Sequence, residues 1–352
     1  MGRDLKYNHR FRIDVLRTKG RFARLDQYLE TLSVKGFDVA GIPFRVVDDL
    51  LSADADVDFA ALAPLARHTV GGQPRLLAAV LEDLGRGAAH RLHEIVSDEA
   101  AHPMTRFEAM GWANFVAHGS RFPGHGTKAR DIFQFWDQAQ PPPEVQEGKA
   151  LWQRVADRHV WYSDETARAF IADAFGQRAA AAYADLWHPA LKSDVFRLYR
   201  LLHCGGVYCD ADSRPEHRAA EFVTVAGDRV WASSMTNVPN CATINGFIAA
   251  PPQSPVIEGL LEQVLRNISD TASRGVFWLS GPGAFTTHLY AAKGQYDIGL
   301  LPQGLLKSSV FRQFDAAYKH TEQNWRVFEH NKGLGNEAGL ARALQHVGAA
   351  RG

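Results

Sequence analysis

The chain has 352 residues, enough for one large domain or two ordinary ones, and its 39 Lys and Arg residues balance 39 Asp and Glu residues. This balance and a pI near 7.3 give no reason to expect a nucleic-acid partner. The sequence has no stretch of roughly 20 apolar residues that could span a bilayer, no signal-peptide core, and too few cysteines (three) for a disulfide framework, so we expect a soluble protein of the cytoplasm.

The first 126 residues are predicted to be mainly helical, because apolar residues recur at helical spacing over residues 24–32 and 74–98. The first 24 residues carry eight Lys or Arg residues against two acidic ones. This arm is either solvated or in peripheral contact with an anionic membrane, and the lack of a hydrophobic anchor favours solvation. His90 and His93 lie one helical turn apart, but no acidic or cysteine partner has diagnostic spacing, which favours a solvated face over a metal site.

Residues 122–127 contain Pro and Gly and are predicted to link residues 1–126 to a second domain, residues 127–352. In this second domain short apolar segments alternate with helical ones, which predicts an α/β fold with an open, largely parallel sheet. The predicted strands are residues 132–136, 160–162, 207–209, 222–225, 230–232 and 242–248. The predicted helices are residues 149–157, 165–175, 190–204, 254–265 and 337–346.

Residues 189–212 form the most informative segment. Pro189 suits the first position of an amphipathic helix, and Gly205 is expected to end that helix in a left-handed conformation. Asp194 and Arg197 are three residues apart on this helix, so they either pair with each other or point together into a cleft.

Asp210 and Asp212 follow the buried strand at residues 207–209. Ligands of open α/β sheets bind at the carboxyl ends of the strands, and side chains two apart on an extended segment face the same way. The two carboxylates are therefore expected to address one hard cation.

The order Ser193-Asp194-x-x-Arg197, then Gly205-Gly206-x-Tyr208-x-Asp210-x-Asp212, resembles the DXD-motif glycosyltransferases of the sugar-binding group. That group includes fungal Golgi mannosyltransferases, bacterial capsular-polysaccharide transferases and, more distantly, the clostridial glucosylating toxins. The resemblance extends over roughly residues 130–326, through residues 131–136, 161–164, 245–251 and 281–283, His320 and Trp325. One departure is Phe133, which stands where the family usually has histidine near the nucleotide site.

The resemblance implies a GT-A-type, nucleotide-sugar-binding open sheet, with residues 1–126 as a helical extension. It implies a metal-dependent hexosyltransferase that retains anomeric configuration and uses Mn²⁺ or Mg²⁺. The implied donor is a nucleotide-diphosphate sugar, with a UDP-sugar favoured over GDP-mannose. The acceptor is a carbohydrate, a lipid-linked glycan or a protein, so a bacterial enzyme of polysaccharide biosynthesis and a protein-modifying effector both stay open.

The resemblance also suggests roles for individual residues. Asp212 would hold the cation, with Asp210 acting directly or through water, and a diphosphate leaving group makes such a cation useful. The expected catalytic residues are Asp210, Asp212 and Arg197. The donor is expected to contact Trp136 at the base, Asp194 at the ribose or sugar, Arg197 at the sugar or phosphate, and also Tyr208 and Asp210. His320 is a third metal ligand, a phosphate donor or a surface histidine, and Trp136 is a stacking platform or ordinary core.

Two other functions remain open. A nucleotidyl or phosphoryl transferase would use the same carboxylates, but the chain has no Gly-rich phosphate loop with lysine. A catalytically inactive module that binds a nucleotide sugar would keep the motifs and lack turnover. Residues 1–126 either recognise the acceptor or a partner, or cover an apolar face.

Overall fold

A computed structural model describes residues 5, 7–52, 57–69, 73–119, 131–222, 229–234, 243–270, 275–291, 298–302, 306 and 310–332. The chain divides into two compact units, one built mainly on residues 1–120 and the other mainly on residues 121–352. The linker predicted at residues 122–127, the helix predicted at 337–346 and Cys241 lie outside the described residues. None of the described helices is long and apolar enough to cross a membrane.

The first unit is helical, as predicted. Its elements are α1 (Tyr7–Thr18), α2 (Phe22–Val34), α3 (Ile42–Ser52), a 3₁₀ helix (Phe59–His68), α4 (Gln73–Arg86), α5 (His90–Ser97) and α6 (Pro103–Gly119). The periodicity of residues 74–98 belongs to two helices and not to one, because Gly87, with φ of +66°, ends α4. His90 and His93 lie on the exposed side of α5.

The second unit contains the sheet. Its helices are α7 (Pro143–Val155), α8 (Asp164–Phe175), α9 (Gln177–Ala184), α10 (Pro189–Cys204), α11 (Ala219–Phe222), α12 (Pro255–Asp270), α13 (Val276–Leu279), α14 (Pro282–Ala291) and α15 (Trp325–Asn331), with a 3₁₀ helix at Ala317–His320. Its strands are β1 (Asp131–Phe135), β2 (Arg158–Tyr162), β3 (Gly206–Cys209), β4 (Ser213–Pro215), β5 (Val230–Ser234), β6 (Thr243–Ala250), β7 (Ile298–Pro302) and β8 (Phe311–Gln313). The strand predicted at residues 222–225 is wrong at its first residue, because Phe222 ends α11, and residues 223–225 lie outside the described part.

Six strands form an open sheet in the order β2-β1-β3-β6-β5-β7. β1 pairs with β2 and β3 in parallel, as expected from strands that alternate with helices. β6 pairs with β3 and β5 in antiparallel fashion, so the sheet is mixed. A second, two-stranded sheet joins β4 to β8, and places Ser213 opposite Gln313. This pairing brings residues near 313 beside the acidic segment that precedes β4.

The helix α10 follows from its sequence. Pro189 occupies the first helical turn, and His188 Nδ1 accepts a hydrogen bond from Ala190 N, which caps the helix. The buried face of α10 carries Leu191, Val195 and Leu198. Gly205 ends the helix with φ of +66° as predicted, but its ψ of −158° lies outside the left-handed helical region. A Cβ at this glycine would lie 2.6 Å from Pro252 N, so the close backbone approach also requires glycine.

Candidate functional site

Asp210 and Asp212 line a cavity of about 220 Å³ in the second unit, at the carboxyl end of β3. They do not lie on an extended strand as expected, because residues 210–212 leave β3 and turn into β4. Both carboxylates nevertheless reach the same cavity. Asp212 is the more deeply buried of the two.

The neighbours of Asp210 fix both its side chain and its backbone. Its Oδ1 accepts a hydrogen bond from Tyr208 Oη at 3.0 Å, and its Oδ2 accepts one from Gln313 Nε2 at 2.9 Å. Its carbonyl oxygen accepts hydrogen bonds from Gln134 Nε2 at 3.1 Å and from Ser213 Oγ. Hydrogen bonds from β1, β4 and β8 therefore hold this turn in place. A carboxylate that is held rigidly suits a binding site.

Gly246 on β6 lies directly against Asp210. The Asp210 amide donates to the Gly246 carbonyl at 2.9 Å, and a Cβ at Gly246 would lie 2.3 Å from Asp210 Oδ2. Only a residue without a side chain leaves room for the carboxylate in this position.

Asp212 contacts the 3₁₀ helix Ala317–His320. Its Oδ2 accepts a hydrogen bond from Tyr318 Oη at 2.7 Å and lies 2.6 Å from Lys319 Nζ. Its backbone carbonyl accepts from Phe314 N at 3.0 Å. Burial, reinforced by the charge of Asp210, raises the pKa of the Asp212 carboxyl, while Lys319 and Tyr318 oppose that rise.

Asp194 and Arg197 form a buried pair on α10, with Asp194 Oδ1 2.9 Å from the Arg197 guanidinium, and both line the cavity. Asp194 also accepts hydrogen bonds from Asn245 Nδ2 at 2.8 Å and Ser280 Oγ at 2.7 Å. Burial raises the pKa of the Asp194 carboxyl, although Arg197 opposes the rise.

The Arg197 guanidinium contacts several protein groups besides Asp194. It donates to the Ser193 carbonyl, to Ser193 Oγ and to the Asn245 carbonyl. It also lies over the Tyr208 ring, 4.1 Å from the centroid, and 3.7 Å from Asp210 Oδ1. Most of the N–H donors of Arg197 are bonded to protein groups, so this arginine connects α10, β3 and β6. Its positive charge also acts on the Asp210 carboxylate.

Trp136 lies just beyond β1 and lines the same cavity. Its ring packs edge-on against Tyr318, with centroids 5.0 Å apart. Its indole nitrogen is buried and has no hydrogen-bond partner among the described residues. The ring is half-buried beside the cavity, and a buried donor without a protein partner is an exception that a water molecule or a ligand would explain.

The structure does not bring His320 to the carboxylates. Its side chain is 73% exposed, faces Asp315 at 3.4 Å and does not line the cavity. Within the described part of the chain, no group of three or more His, Cys, Asp or Glu side chains is placed to hold a metal ion. A third metal ligand at His320 stays a prediction, without geometric support in this structure.

Sequence reasoning missed Gln134, Gln313, Tyr318 and Lys319. Gln134 had a signal, since a polar residue inside the apolar strand β1 must find a buried partner. Phe133 on the same strand is buried outside the cavity lining, among the rings of Tyr162, Phe196 and Tyr208. Its place in the core explains why the departure from histidine is compatible with the fold.

Comparison with protein families matches residues 132–228 to the glycosyltransferase sugar-binding region containing the DXD motif. No curated protein matches the chain. Among solved structures, the PaToxG glycosyltransferase is similar at 14% identity and a TM-score of 0.33, covering 70% of this chain and 98% of that one. The ligand-free glycosyltransferase domain of the YGT toxin is similar at 11% identity and a TM-score of 0.32, covering 77% of this chain and 80% of that one. The family match therefore covers the part of this chain that contains Asp194, Arg197, Asp210 and Asp212.

Proposed function

We propose that this chain is a divalent-cation-dependent hexosyltransferase of GT-A type, with a nucleotide-diphosphate sugar as donor and retention of anomeric configuration. The observation that carries the proposal is the convergence on one cavity of Asp210, Asp212 and Trp136, three residues of the matched range 132–228. Carboxylates suit a cation bound to a diphosphate, and an indole ring suits a base. A UDP-sugar is the favoured donor, with GDP-mannose as the second choice.

Two carboxylates are sufficient as the protein ligands of Mg²⁺ or Mn²⁺. Such ions are commonly held by one or two carboxylates, with substrate phosphate oxygens and water as the other ligands. Asp212 and Asp210 would hold the cation here. When bound, the cation would stabilise the charge that develops on the departing diphosphate.

The remaining residues would position the donor. Trp136 would stack on the base. Asp194 lies in the cavity wall, where it would face the ribose or sugar, and Arg197 would hold the Asp210 carboxylate in place. No protein nucleophile is required if the acceptor hydroxyl attacks from the side that the diphosphate leaves.

The decisive experiment incubates the protein with a panel of nucleotide sugars, with and without Mn²⁺, and measures release of the nucleoside diphosphate. We expect cation-dependent hydrolysis, or transfer with a retained anomeric centre by proton NMR. Asp212→Asn is expected to abolish turnover while leaving the fold intact, because an amide oxygen is a weaker ligand for a hard dication than a carboxylate. Full activity of this variant at saturating Mn²⁺ would exclude the metal role.

The same experiment separates the two alternatives. Binding of nucleotide sugars without hydrolysis or transfer, across the whole panel, would identify an inactive binding module. Transfer of a nucleotidyl or phosphoryl group to a product would identify the other class. Release of free sugar and a nucleoside diphosphate supports glycosyl transfer over both.

We further propose that residues 1–126 recognise the acceptor or a partner. Loops and added segments carry specificity while the catalytic scaffold fixes their position. A chain that begins at Thr127 should then bind nucleotide with Mn²⁺ and hydrolyse the donor, yet fail to glycosylate the acceptor. Normal transfer by a soluble truncated protein would exclude acceptor recognition, and an insoluble product would favour the covering role.

A further inference from the structure

Lys319 occupies a distinctive position in the cavity. Its ammonium lies 2.6 Å from Asp212 Oδ2, and the two side chains are 22% and 9% exposed. Phe314 links the two residues, because its amide donates to the Asp212 carbonyl and its own carbonyl accepts a hydrogen bond from Lys319 Nζ. Lys319 thus places a positive charge of the protein beside Asp212, the carboxylate proposed above to hold the divalent cation.

The contact creates a competition. Lys319 Nζ and Tyr318 Oη both approach Oδ2 of Asp212, so a dication ligated by that oxygen would meet the ammonium at short range. Two positive charges this close in a buried site repel strongly. A cation that binds Asp212 must therefore displace the ammonium or bind weakly.

The displaced ammonium has a suitable destination. Lysine is a compact charge with three donors on a flexible four-carbon stem, and Lys319 lines the cavity that would receive the donor. A diphosphate there would attract both the metal ion and the lysine. Phosphate binding would then relieve the competition at Asp212.

We propose that Lys319 is the resident counter-cation of Asp212 and that it couples binding of the divalent cation to binding of the donor diphosphate. The proposal rests on the function proposed above and assigns this lysine a role in donor binding. Since coupling between two ligands is reciprocal, the diphosphate should raise the affinity for the cation by the same factor as the cation raises the affinity for the diphosphate.

The test is calorimetric titration of the intact protein with Mn²⁺, without and with saturating UDP. We expect UDP to tighten Mn²⁺ binding to the wild type by about tenfold, within the usual range of couplings between sites. Lys319→Met should bind Mn²⁺ alone about tenfold more tightly than the wild type, bind UDP alone more weakly, and lose most of the coupling. Lys319→Arg keeps the charge and should retain wild-type behaviour in the Mn²⁺ titration.

Lys192 provides a matched control. Its ammonium lies 2.7 Å from Asp164 Oδ2 with 19% of its side chain exposed, and neither residue lines the cavity. Lys192→Met removes a similar ion pair and should leave both Mn²⁺ affinities unchanged. Circular dichroism melts of all variants report whether the fold is kept.

The outcomes separate this proposal from the proposed function. Mn²⁺ binding to Lys319→Met that is no tighter than to the wild type overturns the counter-cation role, as does undiminished coupling in that variant. Absence of UDP binding to the wild type contradicts the UDP-sugar donor of the proposed function, and the titration with Mn²⁺ alone still decides the role of the lysine. Should Lys319→Met fail to fold, an equal affinity of the wild type for Mn²⁺ with and without UDP overturns the coupling.

Discussion

The sharpest prediction concerns Gly246→Ala. The new Cβ would lie 2.3 Å from Asp210 Oδ2, whereas ordinary contacts begin at 3.4 Å, so the carboxylate must move by about 1 Å. That movement strains hydrogen bonds from Tyr208 (3.0 Å) and Gln313 (2.9 Å), and each hydrogen bond to a charged group contributes about 1.5–3 kcal/mol. A misplacement of this size in a reacting site costs about 100-fold in rate.

The assay is kcat/KM for release of the nucleoside diphosphate from the donor that the panel identifies, with Tm measured in parallel. Gly299→Ala is the matched control, because its Cβ would lie 2.2 Å from Trp231 Cε3, and neither residue lines the cavity. We expect the control to lower Tm but to retain the activity of the folded protein, and Gly246→Ala to lower activity far more than stability. Equal loss of activity per degree of Tm in both variants would refute a specific role for the Asp210 position.

Two further predictions test the base contact and a buried histidine. Trp136→Ala should weaken binding of the nucleoside diphosphate by about 1–3 kcal/mol through lost stacking. Trp161 lies on β2 and outside the cavity lining, so Trp161→Ala should leave this affinity unchanged. Equal affinities of Trp136→Ala and the wild type in a fluorescence or calorimetric titration would place Trp136 in the core. Burial, aided by the charge of Lys149, lowers the pKa of His159 from 6.5 to about 4. As the pH falls, His159 is therefore protonated in the unfolded chain before it is protonated in the folded one. A contribution of about 3 kcal/mol to the free energy of unfolding, present above pH 6.5, should be lost as the pH falls towards 4. Urea unfolding should show a smaller pH dependence for His159→Gln but not for the exposed His217→Gln, and an unchanged dependence in the first variant would contradict the assignment.

The sequence predicted the parts of the site that lie on one continuous segment. Residues 189–212 contain a helix start, a helix stop, a buried strand and two carboxylates, and each follows from local chemistry. The open sheet was likewise predictable from alternating strands and helices. Local patterns of this kind can be predicted because they are decided by interactions between residues that are close in sequence.

Contacts that join distant segments were not predictable in the same way. Gln313 and Lys319 reach Asp210 and Asp212 because β8 pairs with β4, and each of these strands has only three residues. Such short strands carry too few residues to show an alternating pattern. The antiparallel pairing of β6 with β3 was missed for a related reason, since an apolar strand has the same composition in either direction.

The choice between Lys319 and His320 illustrates how register decides chemistry. Both residues belong to one 3₁₀ helix, in which successive side chains point about 120° apart. Tyr318 and Lys319 both reach Oδ2 of Asp212 from this helix, whereas the next side chain, His320, turns away and faces Asp315. A resemblance in residue order suggests which types are present near a site, but the packing of Phe314 and Tyr318 sets which of them reaches it. The net charge around Asp210 and Asp212 consequently depends on the segment 313–320 as much as on the two carboxylates themselves. Substitutions at Lys319 therefore test the site more sharply than substitutions at His320.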